Sequence, residues 1–272
     1  MRLKQIRIPG AVNFLVFLVA CTLIAGIMAP PRALAGETIR VAVASNFLVP
    51  VKALAQRFSE QSGHKVLISA GSTGKLYAQI TNGAPYDVFL AANAREPRKL
   101  EMEGKAVHGS RFTYALGRLV LWSRNPAKIT GNGAQLLKSG HYHRLAIANP
   151  RTAPYGAAAE TFVRQLGVPT GPGSDVVRGE NIGQAFQYTA TGNTELGLVA
   201  LSQIRDRRFR GVGSHWLVPV DRYPAIRQQA VLLQQASHKA AANAFLEFLK
   251  GDAAVRLISD FGYGHETVAA SR

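Results

Sequence analysis

Four short segments of the sequence combine glycine with small, uncharged hydrogen-bond donors. They are Ala44-Ser45-Asn46-Phe47, Ala70-Gly71-Ser72-Thr73-Gly74, Pro150-Arg151-Thr152-Ala153-Pro154-Tyr155-Gly156 and Gly179-Glu180-Asn181-Ile182-Gly183. A turn that precedes a helix exposes backbone N–H groups at the positive end of that helix. The glycines Gly71, Gly74 and Gly156 would let the backbone approach a ligand closely. Four such turns that converge could bind an anion without any charged side chain.

Each segment taken alone has an ordinary explanation. Serine, threonine and asparagine are common N-caps of helices. A tyrosine such as Tyr155 can simply pack with its hydroxyl toward water. The joint occurrence of the four segments favours the binding interpretation, and Ser72-Thr73, flanked by two glycines, is its sharpest part.

The nucleotide-binding and hydrolytic patterns that these turns suggest do not match. A phosphate-binding loop needs glycine at the position of Ser69 and serine or threonine at the position of Leu76. The segment around Ser72 is not the G-x-S-x-G nucleophile elbow. An exported hydrolase using Ser72 or Ser45 stays as an alternative, but no general base stands at a recognisable spacing. We therefore expect no enzyme and no cofactor.

Metal ligands also lack a recognisable pattern. His141-x-His143 is the only close-set histidine pair, and no cysteine or nearby carboxylate completes a metal set. We interpret the pair as part of a loop. Asp87 is expected to cap backbone N–H groups at the start of a strand rather than to act in catalysis.

Predicted strands and helices alternate along the chain. The strands are predicted at 38–44, 65–70, 87–91, 118–122, 145–148, 196–200, 216–219 and 227–232. The helices are predicted at 51–62, 75–81, 96–103, 156–166, 183–191, 240–249 and 253–260. This order indicates an α/β fold with mostly parallel sheets flanked by helices. In such sheets ligands bind beyond the carboxyl ends of the strands, where the four segments fall.

The first 35 residues have the pattern of a secretory signal peptide. Three basic residues lie among the first seven, residues 11–29 are almost entirely apolar, and Ala33-Leu34-Ala35 offers a cleavage site. We predict a signal peptide at 1–35 and a periplasmic location. Two alternatives remain open: an uncleaved anchor helix, or a lipid-anchored N-terminus at Cys21 in the lipobox-like Leu18-Val19-Ala20-Cys21.

The remaining chain is strongly basic. The first 35 residues carry four basic and no acidic residues, so the formal net charge falls from +16 to +12 without them. The densest cluster is Arg205, Arg207, Arg208 and Arg210, and no aromatic platform interleaves with it. We expect no nucleic-acid partner, because the chain is predicted to be exported. Long-range attraction of anions is a milder use of the same charge.

At these turns the sequence resembles the periplasmic molybdate-binding proteins of ABC transporters, over about residues 37–265. The stretches that carry the resemblance are Val41-Ala-Val-Ala-Ser-Asn46, Ala70-Gly-Ser-Thr-Gly-Lys-Leu76, Gly83-Ala-Pro-Tyr-Asp-Val-Phe89, Ala148-Asn-Pro150, Ala153-Pro-Tyr-Gly156, Gly179-Glu-Asn-Ile182 and Glu195-Leu-Gly-Leu-Val-Ala-Leu-Ser202. The resemblance implies a two-lobed, hinged periplasmic binding protein-like fold of type II, with the ligand in the cleft between the lobes. We expect a signal peptide at 1–35, lobe I at 36–117 plus 222–272, and lobe II at 118–221. Members of this family are not usually so basic.

The resemblance also implies which residues hold the ligand. Carried over by position, the oxyanion ligands are Ser45, Asn46, Ser72, Tyr155 and the backbone N–H of Ile182. One branch of the family supplies a tyrosine hydroxyl near position 200, which is Ala200 here, so Tyr155 is expected to supply it. Molybdenum would be held only as the oxyanion, without direct metal ligation. The expected partner is the membrane permease of an ABC transporter, and the protein is expected to be a monomer.

The donor-only turns suit a fully deprotonated anion. Every oxygen of molybdate accepts hydrogen bonds at neutral pH, whereas a carboxylate in the site would favour a protonated anion such as hydrogen phosphate. We therefore expect molybdate, and also tungstate, as the ligand. Sulfate, thiosulfate and phosphate stay as alternatives, since rejection of sulfate depends on cavity size.

Overall fold

The computed structural model describes residues 36–266. The predicted signal peptide at 1–35, the alternative anchor helix and the alternative lipid attachment at Cys21 lie outside the described residues. Among the helices within 36–266, none combines the length and the apolar character needed to cross a bilayer.

The first lobe contains a five-stranded sheet built from both ends of the described chain. Its strands are β1 (Thr38–Ala44), β2 (Lys65–Gly71), β3 (Val88–Ala91), β4 (Phe112–Gly117) and β10 (Ile226–Leu232), in the order β2-β1-β3-β10-β4. Strand β1 pairs in parallel with β2 and β3, and β10 pairs antiparallel with β3 and β4. Only β10 therefore runs against the other four strands. The helices of this lobe are α1 (Leu48–Ser62), α2 (Thr73–Thr81), α3 (Arg95–Met102), α8 (Lys239–Lys250) and α9 (Asp252–Asp260). A short 3-10 turn covers Ser45–Phe47.

The second lobe contains another five-stranded sheet, which is built from the middle of the chain. Its strands are β5 (Leu119–Ser123), β6 (Leu145–Ala148), β7 (Val176–Gly179), β8 (Leu196–Ala200) and β9 (Ser214–Leu217), in the order β7-β6-β8-β5-β9. Strand β6 is parallel to β7 and β8, whereas β5 is antiparallel to β8 and β9. Its helices are α4 (Gly133–Ser139), α5 (Pro154–Gln165), α6 (Ile182–Ala190) and α7 (Leu201–Ile204), and a 3-10 turn covers Val220–Arg222.

The predicted α/β architecture is confirmed: two five-stranded, mostly parallel sheets form two lobes flanked by helices. The sequence analysis did not predict four of these elements, namely strands β4 and β7 and helices α4 and α7. All strands of the first sheet fall within 36–117 plus 222–272, and all strands of the second within 118–221. The lobe boundaries themselves stay a prediction.

The two lobes meet where the parallel strands end. One buried cluster contains Ile39, Val41, Phe47 and Phe245 and fills the first lobe. A second cluster fills the other lobe, and it also takes in Ala44 and Ala92 of the first lobe together with Tyr155 and Ile182. The carboxyl ends of β1 and β3 therefore pack against the turns that open α5 and α6.

Candidate functional site

All four donor-rich segments lie at the carboxyl ends of parallel strands. Ser45 follows β1, Ser72 follows β2, and the segments containing Tyr155 and Ile182 follow β6 and β7. The two lobes are joined directly here, because Gly74 of the second segment donates its N–H to the carbonyl of Thr152 in the third at 2.9 Å. The segments that the sequence singled out are thus brought to one boundary between the lobes.

Ser45 links the first segment to the fourth. Its Oγ donates to Asn181 Oδ1 at 3.1 Å and accepts from the backbone N–H of Gly183 at 3.2 Å. A Cβ at Gly183 would lie 3.0 Å from Asn181 Oδ1, which is tight, and 3.5 Å from Ser45 Oγ, which is an ordinary contact. Glycine therefore leaves room for the Asn181 oxygen that Ser45 contacts.

Both donors of the Asn46 side chain are used within the protein, whereas its Oδ1 is buried without a partner among residues 36–266. Its Nδ2 donates to Gln228 Oε1 at 2.8 Å and to the Tyr263 hydroxyl at 2.9 Å, which uses both of its N–H bonds. The backbone carbonyl of Asn46 accepts from Ser202 Oγ at 3.0 Å. The predicted ligand Asn46 is therefore positioned by its side chain, and its backbone N–H is the donor left for an anion.

Two predicted ligands carry buried hydroxyls that lack an acceptor among residues 36–266. Ser72 is 3% exposed and Tyr155 is 1% exposed. Ser72 Oγ has no hydrogen-bond partner there, and the Tyr155 hydroxyl, which the backbone N–H of Arg118 approaches, has no acceptor for its own proton. Ser72 is the N-cap residue of α2, yet its side chain makes no capping bond. A buried polar group without its hydrogen bond is costly, so each of these hydroxyls needs a polar partner.

The Tyr155 hydroxyl stays protonated over the whole physiological range. Burial raises its pKa well above the usual value, and the nearby hydroxyls of Tyr263, Tyr223 and Tyr114 raise it further, while the backbone N–H of Arg118 acts in the opposite direction. The hydroxyl lies against Gly117, where any Cβ would collide with it. Tyr155 can therefore serve only as a neutral group in this position.

Ile182 contributes a backbone N–H at the start of a helix. It is the first residue of α6, and Asn181, the N-cap, accepts from the N–H of Gln184 at 3.0 Å. Ser45 takes the N–H of Gly183. Of these first-turn donors, the N–H of Ile182 is thus the one not used by Asn181 or Ser45, and it carries the positive end of the helix.

The site contains no charged side chain among its five predicted ligands. Glu180, the nearest acid in the segments, forms an ion pair with Lys75 across the two lobes, and both side chains are more than half exposed. Within residues 36–266 there is also no cluster of three or more histidine, cysteine, aspartate or glutamate side chains that could hold a metal ion. Asp87 caps the N–H groups of Arg40 and Ser237 at 2.6 and 2.8 Å, which is the structural role expected for it.

Sequence reasoning missed the residues behind Asn46. Tyr263 donates to Ser202 Oγ at 2.9 Å, and Tyr114 lies 3.1 Å from Gln228 Oε1, so Gln228 and the two tyrosines form one buried polar network. They come from segments far apart in the chain, and none carries a motif. Thr152 Oγ1 in the third segment is also buried without a partner in the described chain, which makes Thr152 a candidate that the prediction did not include.

Comparison with known proteins addresses the identity of this fold and site. The family model described as bacterial extracellular solute-binding protein matches residues 39–264, which is most of the chain. The chain belongs to this family. Among curated relatives of the family, the molybdate-binding protein ModA of Azotobacter vinelandii is 51% identical over 227 residues, covering 83% of this chain and 89% of that protein. ModA of Rhodobacter capsulatus is 46% identical over 244 residues, covering 90% of this chain and 94% of that protein.

A solved structure of the family agrees in fold as well. The periplasmic molybdate-binding protein of Azotobacter vinelandii superimposes with a TM-score of 0.81 at 42% identity, covering 84% of this chain and 100% of that one. The family expected from the turn sequences is thereby confirmed. The ligand roles of Ser45, Asn46, Ser72, Tyr155 and Ile182 stay a prediction.

Proposed function

We propose that this protein is the solute-binding component of an ABC transporter that captures molybdate in the periplasm and delivers it to a membrane permease. The observation that carries the proposal is that the buried hydroxyls of Ser72 and Tyr155 lack an acceptor, in two segments that meet at the boundary between the lobes. The identity of 51% to a molybdate-binding protein supports the same ligand.

The chemistry of the site fits a fully deprotonated tetrahedral dianion. Ser72 Oγ, the Tyr155 hydroxyl and the backbone N–H groups of Asn46 and Ile182 can all donate. Ser45 Oγ can donate once its proton turns away from Asn181. Hydrogen bonds to a charged acceptor contribute about 1.5–3 kcal/mol each. Several of them reach micromolar or tighter binding after the ordering costs of association.

Binding would be coupled to hinge closure between the lobes. Three contacts cross the boundary, namely Ser45 with Gly183, Gly74 with Thr152, and Lys75 with Glu180. An anion held by donors from both lobes favours the closed arrangement, since only closure brings all the donors together. The permease would then receive a closed, loaded protein.

Titration calorimetry tests the ligand. Molybdate and tungstate should bind with sub-micromolar affinity, and sulfate, thiosulfate and phosphate should compete at least a hundred-fold more weakly. Absence of heat and of thermal stabilisation with molybdate would overturn the proposal. Equal affinity for sulfate would replace molybdate by a broader oxyanion specificity.

The remaining parts of the proposal have their own tests. We propose a non-enzymatic, monomeric protein without a cofactor, and turnover of generic ester or phosphate substrates would contradict the first part. Light scattering gives the oligomeric state. The intact mass after export distinguishes cleavage after Ala35 from a lipid-modified Cys21.

A further inference from the structure

The segment that joins α7 to β9 holds the densest sequence cluster of arginines in the described chain. This arginine loop, residues 205–213, exposes Arg205, Arg207, Arg208 and Arg210. Arg208 pairs with Asp206 at 2.8 Å. The other three arginines have no carboxylate partner among residues 36–266. Oxyanion capture by neutral donors makes no use of these three exposed charges.

Backbone hydrogen bonds and aromatic packing hold the arginine loop in place. Asp206 is buried, and its backbone carbonyl accepts from the N–H groups of Phe209 and Arg210 at 2.9 Å. The ring of Phe209 packs against Trp122 and Phe186 with centroid distances of 6.0 and 4.8 Å. These contacts fix the backbone that carries the arginines, so less conformational freedom is lost when they meet a partner.

Apolar groups surround the same arginines. Val212 is 38% exposed and Leu217 is 43% exposed. A groove of about 730 Å³ runs beside the loop, and Arg205, Arg210 and His215 contribute to its lining. None of the five predicted oxyanion ligands lines this groove.

We propose that the arginine loop docks the protein on an anionic phospholipid membrane surface. Asp260 also lines the groove, but it forms no ion pair with these arginines among residues 36–266. Three guanidinium groups without an ion-pair partner suit an extended sheet of phosphate groups, which needs no fixed pattern of partners. Val212 and Leu217 would meet the interfacial region of the bilayer. The net charge of +12 outside the first 35 residues adds long-range attraction to the same surface. Docking would concentrate the protein in the plane where a permease lies.

The proposal rests on the periplasmic location but not on the ligand. Molybdate titration and vesicle binding are separate measurements, so the failure of one leaves the other standing. An acidic protein surface is the competing occupant, and it would require a fixed set of carboxylates rather than a lipid composition.

Vesicle sedimentation tests the proposal with the protein purified after export. It should bind vesicles of phosphatidylcholine with 30% phosphatidylglycerol, and not vesicles of phosphatidylcholine alone. Binding should fall as salt rises from about 50 to about 300 mM, because the Debye length shortens. A basic residue close to an anionic surface contributes about 1 kcal/mol, so the triple variant Arg205→Gln, Arg207→Gln, Arg210→Gln should lose at least ten-fold in partitioning.

The matched control removes three charges elsewhere. Lys52, Arg57 and Lys65 are exposed, and none belongs to an ion pair among residues 36–266. Their joint replacement by glutamine should lower partitioning less than about three-fold. Equal losses in the two triple variants would overturn a specific loop. No preference of the unaltered protein for phosphatidylglycerol would overturn membrane docking and favour an acidic protein partner.

Discussion

Two regions of this protein face negative charge in opposite ways. The boundary between the lobes offers buried neutral groups, of which Ser72 and Tyr155 are 3% and 1% exposed. The arginine loop offers full charges in water. In a water-excluded site neutral donors form strong, directional hydrogen bonds, so they can measure the shape of an anion. Exposed guanidinium groups attract over distance, but salt screens them and geometry matters little. If both proposals hold, selectivity belongs to the first region and surface attraction to the second.

The replacement Ser72→Asp should have the largest effect and breaks the neutrality of the first region. A carboxylate at this buried position would stand beside the dianion, and two like charges about 4 Å apart repel by about 4 kcal/mol at an effective dielectric constant of 20. Together with the lost donor this should weaken molybdate binding more than about a thousand-fold. Calorimetry measures it, and a melting curve verifies folding. Ser62→Asp, at an exposed position, is the control, and equal loss there would exclude a local effect.

Removing one hydroxyl at a time gives the next largest effects. Ser72→Ala and Tyr155→Phe should each weaken binding by about 10- to 150-fold, since each deletes one donor to a charged acceptor. Without ligand, the melting temperature of Tyr155→Phe should change little, because the buried hydroxyl that is removed has no acceptor for its proton. Tyr142→Phe, a half-buried tyrosine outside the four segments, should change neither quantity. An unchanged affinity would remove the altered residue from the site.

Alkaline pH tests whether the buried tyrosine hydroxyls contribute to stability as neutral groups. Burial raises the pKa of Tyr114 and of Tyr155, and it raises the pKa of Tyr263 to about 12. Unfolded tyrosine titrates near pH 10. The stability that these neutral hydroxyls contribute is therefore complete below about pH 10 and is lost as the pH rises toward their folded values. Melting temperatures should fall above pH 10, while molybdate affinity stays level between pH 6 and 9. A marked change of affinity in that range would reveal a titrating ligand group.

The ion pair of Lys75 with Glu180 should have the smallest effect. It crosses the lobes beside the site, but both side chains are more than half exposed, and such pairs contribute about 0.2–1 kcal/mol. Lys75→Met should speed molybdate release at low salt by up to about five-fold, measured by stopped flow. The exchanged pair, Lys75→Glu with Glu180→Lys, should restore it. Lys128→Met, which breaks a pair within the second lobe, should leave release unchanged. Because the exchanged pair has the net charge of the unaltered protein, its failure to restore release would point to a role of Lys75 other than the ion pair.

Most of the fold could be predicted because apolar runs between turn residues indicate its strands. The predicted limits of β1, β6 and β8 agree with the structure at both ends. Strands β4 and β7 were missed because their sequences, Phe112–Gly117 and Val176–Gly179, are held by neighbouring strands rather than by their own composition. Their register depends on partners elsewhere in the chain.

The site divides in the same way. The four segments could be found because strand ends in such sheets meet at one edge, and the family resemblance then pointed to five residues within them. The use of the Asn46 side-chain donors could not be predicted, since Gln228 and Tyr263 lie 182 and 217 residues away along the chain. Long-range hydrogen bonds decide which atom of a residue is available, and a local motif carries no record of them.

A crystal structure of the exported protein grown with molybdate tests the central claim most directly. Anomalous scattering locates molybdenum without ambiguity. The account predicts the metal between the lobes, with its oxygens within hydrogen-bond distance of Ser72 Oγ, the Tyr155 hydroxyl and the N–H of Ile182. Molybdenum at another place, or an anion contacted by an arginine, lysine or carboxylate side chain, would contradict it.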